Sequence, residues 1–252
     1  MSAPPENPLH RLDLSLPSPA EILAADEALL DWCESGRKTE VLAFWEPRAT
    51  FVVVGYANKI AREVNTAACE TRGIPIFRRC SGGGTVVQMP GGLNYSLILR
   101  ITEDGPLGSI TSANRFIMEK NRAALTTLLP QLSIPSQITV QGHTDLCLGN
   151  LKFAGNSQRR RKNYLLFHGT LLLDCDLKLI GQLLQMPSLE PDYRAHRAHE
   201  EFVTNLKLPA AAVKSALAKA WKAEETVRTL PWEAITALAR EKYSTPEWNY
   251  KF

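Results

Sequence analysis

Arg78-Arg79-Cys80-Ser81-Gly82-Gly83-Gly84-Thr85-Val86-Val87-Gln88 is the stretch on which the reading of this chain turns. A short β-rich run at 74–78 leads into it and a stronger one at 93–101, LNYSLILRI, follows. The glycine triplet is therefore embedded between core strands, where simple surface flexibility explains it poorly. Successive glycines admit unusual backbone angles and leave no side chain in the way, so amides can approach an anionic or planar ligand. The two arginines supply fixed positive charge for a phosphate or carboxylate. No Gly-Lys-Ser/Thr follows, which excludes a Walker loop, and the spaced glycines of a dinucleotide fold would precede a helix.

Outward from this loop, residues 41–45 and 50–54 read as two strands joined by a turn at Pro47, and 65–72 as a helical stretch broken by Gly73 and Pro75. A helix is predicted from Pro19 to about Gly36 with Ser18 as its cap, and another from Ser109 to Leu129, stopping before Pro130. Residues 146–153 read as a hairpin centred on Gly149-Asn150, and 164–173 as a strand interrupted by His168-Gly169. Residues 209–222 and 231–243 carry helical periodicity. Pro4, Pro5, Pro8, Pro17 and Pro19 make residues 1–20 an extended arm. Strand runs joined by hairpins, with helices set apart from them, predict an α+β fold with a mainly antiparallel sheet flanked by helices.

With 252 residues, 44% hydrophobic and 22% charged, the chain can bury a sizeable core, which excludes disorder and fibres. Twenty-nine Lys and Arg against 26 Asp and Glu give +3, too small an excess for a general nucleic-acid binder. No apolar run approaches the roughly 20 residues of a membrane helix, and no export signal opens the chain, so no membrane partner and a cytoplasmic location are expected. Cys33, Cys69, Cys80, Cys147 and Cys175 are odd in number and lack CxxC spacing, so reduced thiols and no metal site are expected.

A second informative stretch runs from Gly142-His143-Thr144-Asp145 through Lys152 to Gly155-Asn156-Ser157-Gln158. Strand alternation sets Lys152 on the face opposite Leu151 and Phe153. Facing a cleft, its ammonium would neutralise an α-phosphate and a carboxylate together, as joining an acid to a nucleotide requires. His168, in the next strand, reads as a residue satisfying a local hydrogen bond. The basic run 159–162 reads as a solvated turn within reach of an acidic partner.

Taken together, RRCSGGGTV at 78–86, LNYSL at 93–97, the hairpin from Asp145 to Lys152 with GNSQ, and HGTLLLDCDL at 168–177 resemble the lipoate-protein ligase A branch of the biotin/lipoate ligase and octanoyltransferase superfamily. VVVGYANK, VTNL at 203–206 and EKYSTPEWN at 241–249 extend the likeness in family order over most of the chain. The resemblance implies a biotin/lipoate-ligase-like catalytic domain over 21–252 with a helical C-terminal segment. It implies ATP with Mg2+ and lipoate as substrates, lipoyl-AMP as the intermediate, and Lys152 as the lysine that contacts acyl carboxylate and phosphate. Arg79, Cys80, Ser81, Gly82, Gly83, Gly84, Thr85, Val86, Val87 and Gln88 would wall the nucleotide and acyl chain, with Asp145, Gly155 and His168 in the same binding site. The partner implied is a lipoyl-carrier domain, of a 2-oxoacid dehydrogenase acyltransferase subunit or a glycine-cleavage H-like protein. Each methylene buried in an apolar tunnel would contribute about 0.8 kcal/mol.

The chain departs from the family in having Gln88-Met89 where many relatives carry His-Asp, and it stops at Phe252 where longer ligases continue into an accessory domain. A single domain is expected, with activation open to a separate accessory subunit. The rival expectations are an octanoyltransferase working through a cysteine thioester without ATP, and a non-catalytic scaffold that binds lipoyl domains. Octanoyltransferases of similar length place their cysteine where this chain has Gln137; Cys80, beside two arginines, is then a better candidate for a low-pKa thiol than Cys147, but it reads first as a structural or ligand-lining residue. The Gly-Arg-Gly-Arg loop of biotin ligases is missing.

Overall fold

The computed structural model describes residues 9–36, 39–132, 137–223, 225–226 and 230–252. Residues 1–8 of the expected arm lie outside these. Leu9–Asp13 is no free arm: it is strand β1, with Leu9 and Leu12 buried. In chain order there follow α1 (Pro19–Glu34), β2 (Glu40–Trp45), β3 (Phe51–Val54), α2 (Ile60–Glu63), α3 (Thr66–Thr71), β4 (Ile76–Arg78), β5 (Val86–Gln88), β6 (Gly92–Arg100) and α4 (Ile110–Thr126). The second half comprises β7 (Ile138–Gln141), β8 (Asp145–Leu148), β9 (Leu151–Arg160), β10 (Tyr164–Leu172), α5 (Lys178–Leu183), α6 (His199–Phe202), α7 (Ala210–Trp221), β11 (Glu225–Thr226), α8 (Trp232–Leu238) and α9 (Pro246–Asn249).

Ser18 caps α1 through its hydroxyl, and Ser109 with Ser112 forms a capping box on α4, as residues that satisfy orphan helix amides should. Among the described residues the large sheet runs β11-β1-β2-β6-β10-β9-β8-β7. It is antiparallel from β2 to β7 and parallel only where β1 meets β2 and β11. A second sheet, β4-β3-β5, carries the glycine loop between β4 and β5. This corrects one expectation. β2 and β3 do not pair across the Pro47 turn but belong to different sheets, the turn passing the chain from one to the other. Strand β10 is likewise continuous through His168 and Gly169, both paired on either side.

The two-residue alternation of the central strands decides what the site is made of. On β6 and β10, Leu93, Leu97, Leu99, Leu165, Phe167 and Leu171 point into a core closed by α4 and α7. Asn94, Ser96, His168 and Thr170, one residue out of phase, face the other side, toward α1 and the small sheet. Register then lines these polar residues up in two cross-strand rows: Ser157-His168-Ser96 and Gly155-Thr170-Asn94.

Candidate active site

Between the large sheet and the glycine loop lies a cavity of ≈ 890 Å³, within the size range of small-molecule sites. Of the residues predicted for the site, Arg79, Gly83, Gly84, Thr85, Val86, Val87, Gln88, Asp145, Lys152, Gly155 and His168 line it. Cys80, Ser81 and Gly82 do not. Cys80 is buried in the core beneath α1 and the C-terminal helices, and burial, with Glu27 and Asp26 near, pushes its thiol up to about 12. This fits the structural reading of Cys80, and burial removes it as a low-pKa thiol. Ser81 is also buried, behind the loop, bonded to Arg79 and His168.

The loop is held by its arginines. Arg78, fully buried, donates to five backbone carbonyls, those of Gly55, Tyr56, Asn58, Trp248 and Asn249, at 2.8–3.2 Å. In return Trp248 Nε1 donates to the Arg78 carbonyl (2.8 Å), so the C-terminal segment clamps the root of the loop. Arg79 donates to Ser81 Oγ (3.0 Å) and to the carbonyls of Gly82 (2.5 Å) and Gly84 (2.7 Å). Its burial lowers its pKa to about 10, which leaves it charged at neutral pH. Gly83 takes φ +84°, and a Cβ there would sit 3.1 Å from Arg79 Nη2 and 3.3 Å from Ser157 Cβ. Among the described residues the amides of Gly83 and Gly84 meet no protein acceptor, and the Thr85 hydroxyl is buried without a partner. These unsatisfied donors on a cavity wall suit an anionic ligand.

Opposite them stands Lys152. A register shift between Leu146 and Cys147 makes a bulge in the β8-β9 hairpin, and it turns Lys152 toward the face of Gly155, three residues on. A Cβ on Gly155 would lie 2.9 Å from Lys152 Cε and Nζ, so the glycine leaves the space in which the lysine lies. Lys152 Nζ pairs with Asp145 Oδ1 at 2.8 Å, and Tyr193 donates to Asp145 Oδ2 at 2.7 Å. Behind Tyr193 is Cys147, buried, its thiol raised by burial.

Sequence reasoning missed Asp26, Ser96, Ser157, Asn94, Thr170 and Tyr193. Asp26 of α1 accepts from Ser96 Oγ (2.6 Å) and holds His168 Nδ1 (2.6 Å), while Gln88, Asn94 and Thr170 bond one another at 2.6–2.9 Å. One signal was available: Asp26-Glu27 interrupts an otherwise apolar helical stripe, and a buried acid needs a partner. The others depend on register. No helix among the described residues is long and apolar enough to cross a membrane.

Comparison with known proteins accords with this geometry. An octanoyltransferase LipM of Geobacillus kaustophilus is 26% identical over 273 residues, covering 92% of this chain and 94% of that protein. Among solved structures, a bi-partite lipoate protein ligase from Thermoplasma acidophilum superposes with a TM-score of 0.77 at 26% identity, over 97% of this chain and 96% of the other. A lipoate-protein ligase A bound with ATP superposes with a TM-score of 0.74 at 26% identity, over 97% and 98%. The sequence matches the lipoyl protein ligase A/B catalytic domain over residues 18–222, a span that takes in the glycine loop, Lys152 and His168, and the chain belongs to that family of lipoate ligases and octanoyltransferases.

Proposed function

We propose that this chain is an ATP-dependent lipoate-protein ligase, which joins lipoate or octanoate to AMP and passes the acyl group to a lysine of a lipoyl-carrier domain. The observation that carries this reading over a thioester-forming octanoyltransferase is the condition of the cysteines. All five are buried, none lines the cavity, and burial raises every thiol, Cys33 and Cys80 to about 12 and Cys175 to about 11. A nucleophilic cysteine needs the opposite environment, electropositive and accessible.

The residues present suit the ligase reaction. An acyl carboxylate must approach the α-phosphate of magnesium-bound ATP, and the repulsion between these anions is the barrier that positive charge relieves. Lys152 would stand between them, oriented by Asp145, and Tyr193 would hold Asp145 in turn. The amides of Gly83 and Gly84 and the Thr85 hydroxyl would take up oxygens on the opposite wall. Carboxylate oxygen bonds to phosphorus as pyrophosphate leaves; the carrier lysine then attacks the acyl carbon and AMP departs. The likeness to the Thermoplasma ligase, whose structure is described together with its E2 lipoyl domain, supports a lipoyl domain as acceptor and a separately supplied second part. Lipoyl domains of acyltransferase subunits and H-like proteins are the carriers to try.

The deciding assay supplies ATP, Mg2+, free lipoate or octanoate and a lipoyl domain, with and without an octanoyl carrier thioester. Pyrophosphate release and an acyl-lysine formed only with ATP are expected. An acyl-thioester on Cys80 or Cys147 that passes its acyl group to the lipoyl domain without ATP would overturn the reading.

A further inference from the structure

The row Ser157-His168-Ser96 carries more than loop support. His168 Nδ1 lies 2.6 Å from Asp26 Oδ2, and since a carboxylate only accepts, Nδ1 bears a proton, which in the neutral ring leaves Nε2 as the accepting nitrogen. At Nε2 stand two hydroxyls, Ser157 Oγ at 3.0 Å and Ser81 Oγ at 2.6 Å, themselves 2.8 Å apart. Ser81 is sealed behind the loop, but Ser157, His168 and Asp26 all line the cavity. Gly83, whose amide meets no protein acceptor among the described residues, lies beside Ser157: a Cβ on it would sit 3.3 Å from Ser157 Cβ.

Carboxylate, correctly oriented imidazole, accessible hydroxyl and free amides are the parts of a serine acyl-transfer centre, and they are recognised by geometry rather than by order in the chain. We propose that Ser157, His168 and Asp26 form such a centre, which gives the protein an ATP-independent hydrolase activity toward medium-chain acyl esters and thioesters. Ser157 Oγ adds to the acyl carbon as its proton passes to His168 Nε2. The carbonyl oxygen becomes an oxyanion facing the Gly83 and Gly84 amides. Collapse breaks the bond to the alcohol or thiol, which leaves with the proton from His168, and an acyl-O-Ser157 ester remains. Water then attacks that ester and gives a proton to His168, which returns it to Ser157 Oγ as the free acid is released. This activity needs neither ATP nor the adenylate, so it stands or falls separately from the ligase reading.

Two measurements without ATP test it: hydrolysis of p-nitrophenyl octanoate, and labelling by a fluorophosphonate probe with the adduct mapped by mass spectrometry. The expected result is an adduct on Ser157 of the unmodified protein, together with a fall in hydrolysis of roughly 100-fold or more in Ser157→Ala. The labelling needs no variant, so it holds even where a substitution disturbs the fold. Failure of the probe to mark Ser157, an adduct on Lys152 or Ser81 alone, or wild-type hydrolysis by Ser157→Ala overturns the proposal. Either result leaves the ATP-dependent assay to judge ligation by itself.

Discussion

On the glycine-loop wall of the cavity, two arginines adjoin the site, yet Arg78 gives Nε and Nη1 to five carbonyls, its Nη2 being buried without a partner among the described residues, and Arg79 donates to the carbonyls of its own loop. On the hairpin wall there is a single lysine, and its ammonium is held by one carboxylate, with the side chain 28% exposed. The difference follows from what each backbone can do for itself. A hairpin satisfies its own amides and carbonyls through ladder bonds, so its side chains are at liberty. Three glycines in a row have no side chains and no ladder, so neighbouring groups must fix them. Charge close to a site is therefore not the same as charge available to it, and the arginines that read from sequence as phosphate ligands are in large part the loop's scaffold.

Lys152→Met should break this contrast most sharply. Acyl transfer is expected to fall by roughly 1,000-fold, about 4 kcal/mol of transition-state stabilisation. Unfolding stability should shift by no more than about 1 kcal/mol, since Asp145 keeps its bond from Tyr193. Urea unfolding beside steady-state kinetics checks both, and turnover near wild type would remove Lys152 from the mechanism.

Arg78→Met should do the reverse. Several buried carbonyls lose their donor at once, and a loss of about 3 kcal/mol or more is expected in urea unfolding. Ligand binding should weaken only in step with that loss. An Arg78→Met protein of normal stability that binds no nucleotide would mean the guanidinium serves the ligand after all.

Within the loop, Gly83→Val and Gly84→Ala should separate. Gly83 has a left-handed φ of +84° and crowded surroundings, so about 2 kcal/mol of stability should be lost and ligand affinity with it. Nothing lies within 4 Å of a Cβ at Gly84, whose φ is ordinary, and its stability should change by less than about 0.5 kcal/mol. Thermal melting decides, and equal losses would show that the triplet is needed as a unit.

The last effect concerns pH. Burial raises the thiols of Cys33 and Cys80 from 9.0 to about 12, so the folded state favours their neutral form. Their contribution is fully present below pH 9 and is lost as pH rises toward 12, because the unfolded chain ionises first. The urea midpoint should therefore fall as pH rises from 9.0 toward 12, where the folded and unfolded chains differ in thiol protonation, and Cys80→Ala should fall less steeply. Equal slopes would place Cys80 in contact with water.

Local rules in the sequence settled much of this protein. Ser18 and Ser109 fixed helix starts, Gly149-Asn150 fixed the hairpin, and the residue types around the glycine triplet and Lys152 identified two walls of a site. Those features are encoded within a few residues, so they survive being read one segment at a time. Where the chain parts between two sheets at Pro47 was decided only by the tertiary structure. So was the pairing of Leu9–Asp13 into the large sheet, as was the engagement of Arg78 by Trp248 and Asn249. The Asp26-His168-Ser157 line belongs to the same class: its members are 142 and 11 residues apart, and only strand register and the docking of α1 bring them within hydrogen-bond reach. Pairing partners across such separations are chosen by the burial of whole faces, to which each residue contributes a small share, and no single local motif records the choice.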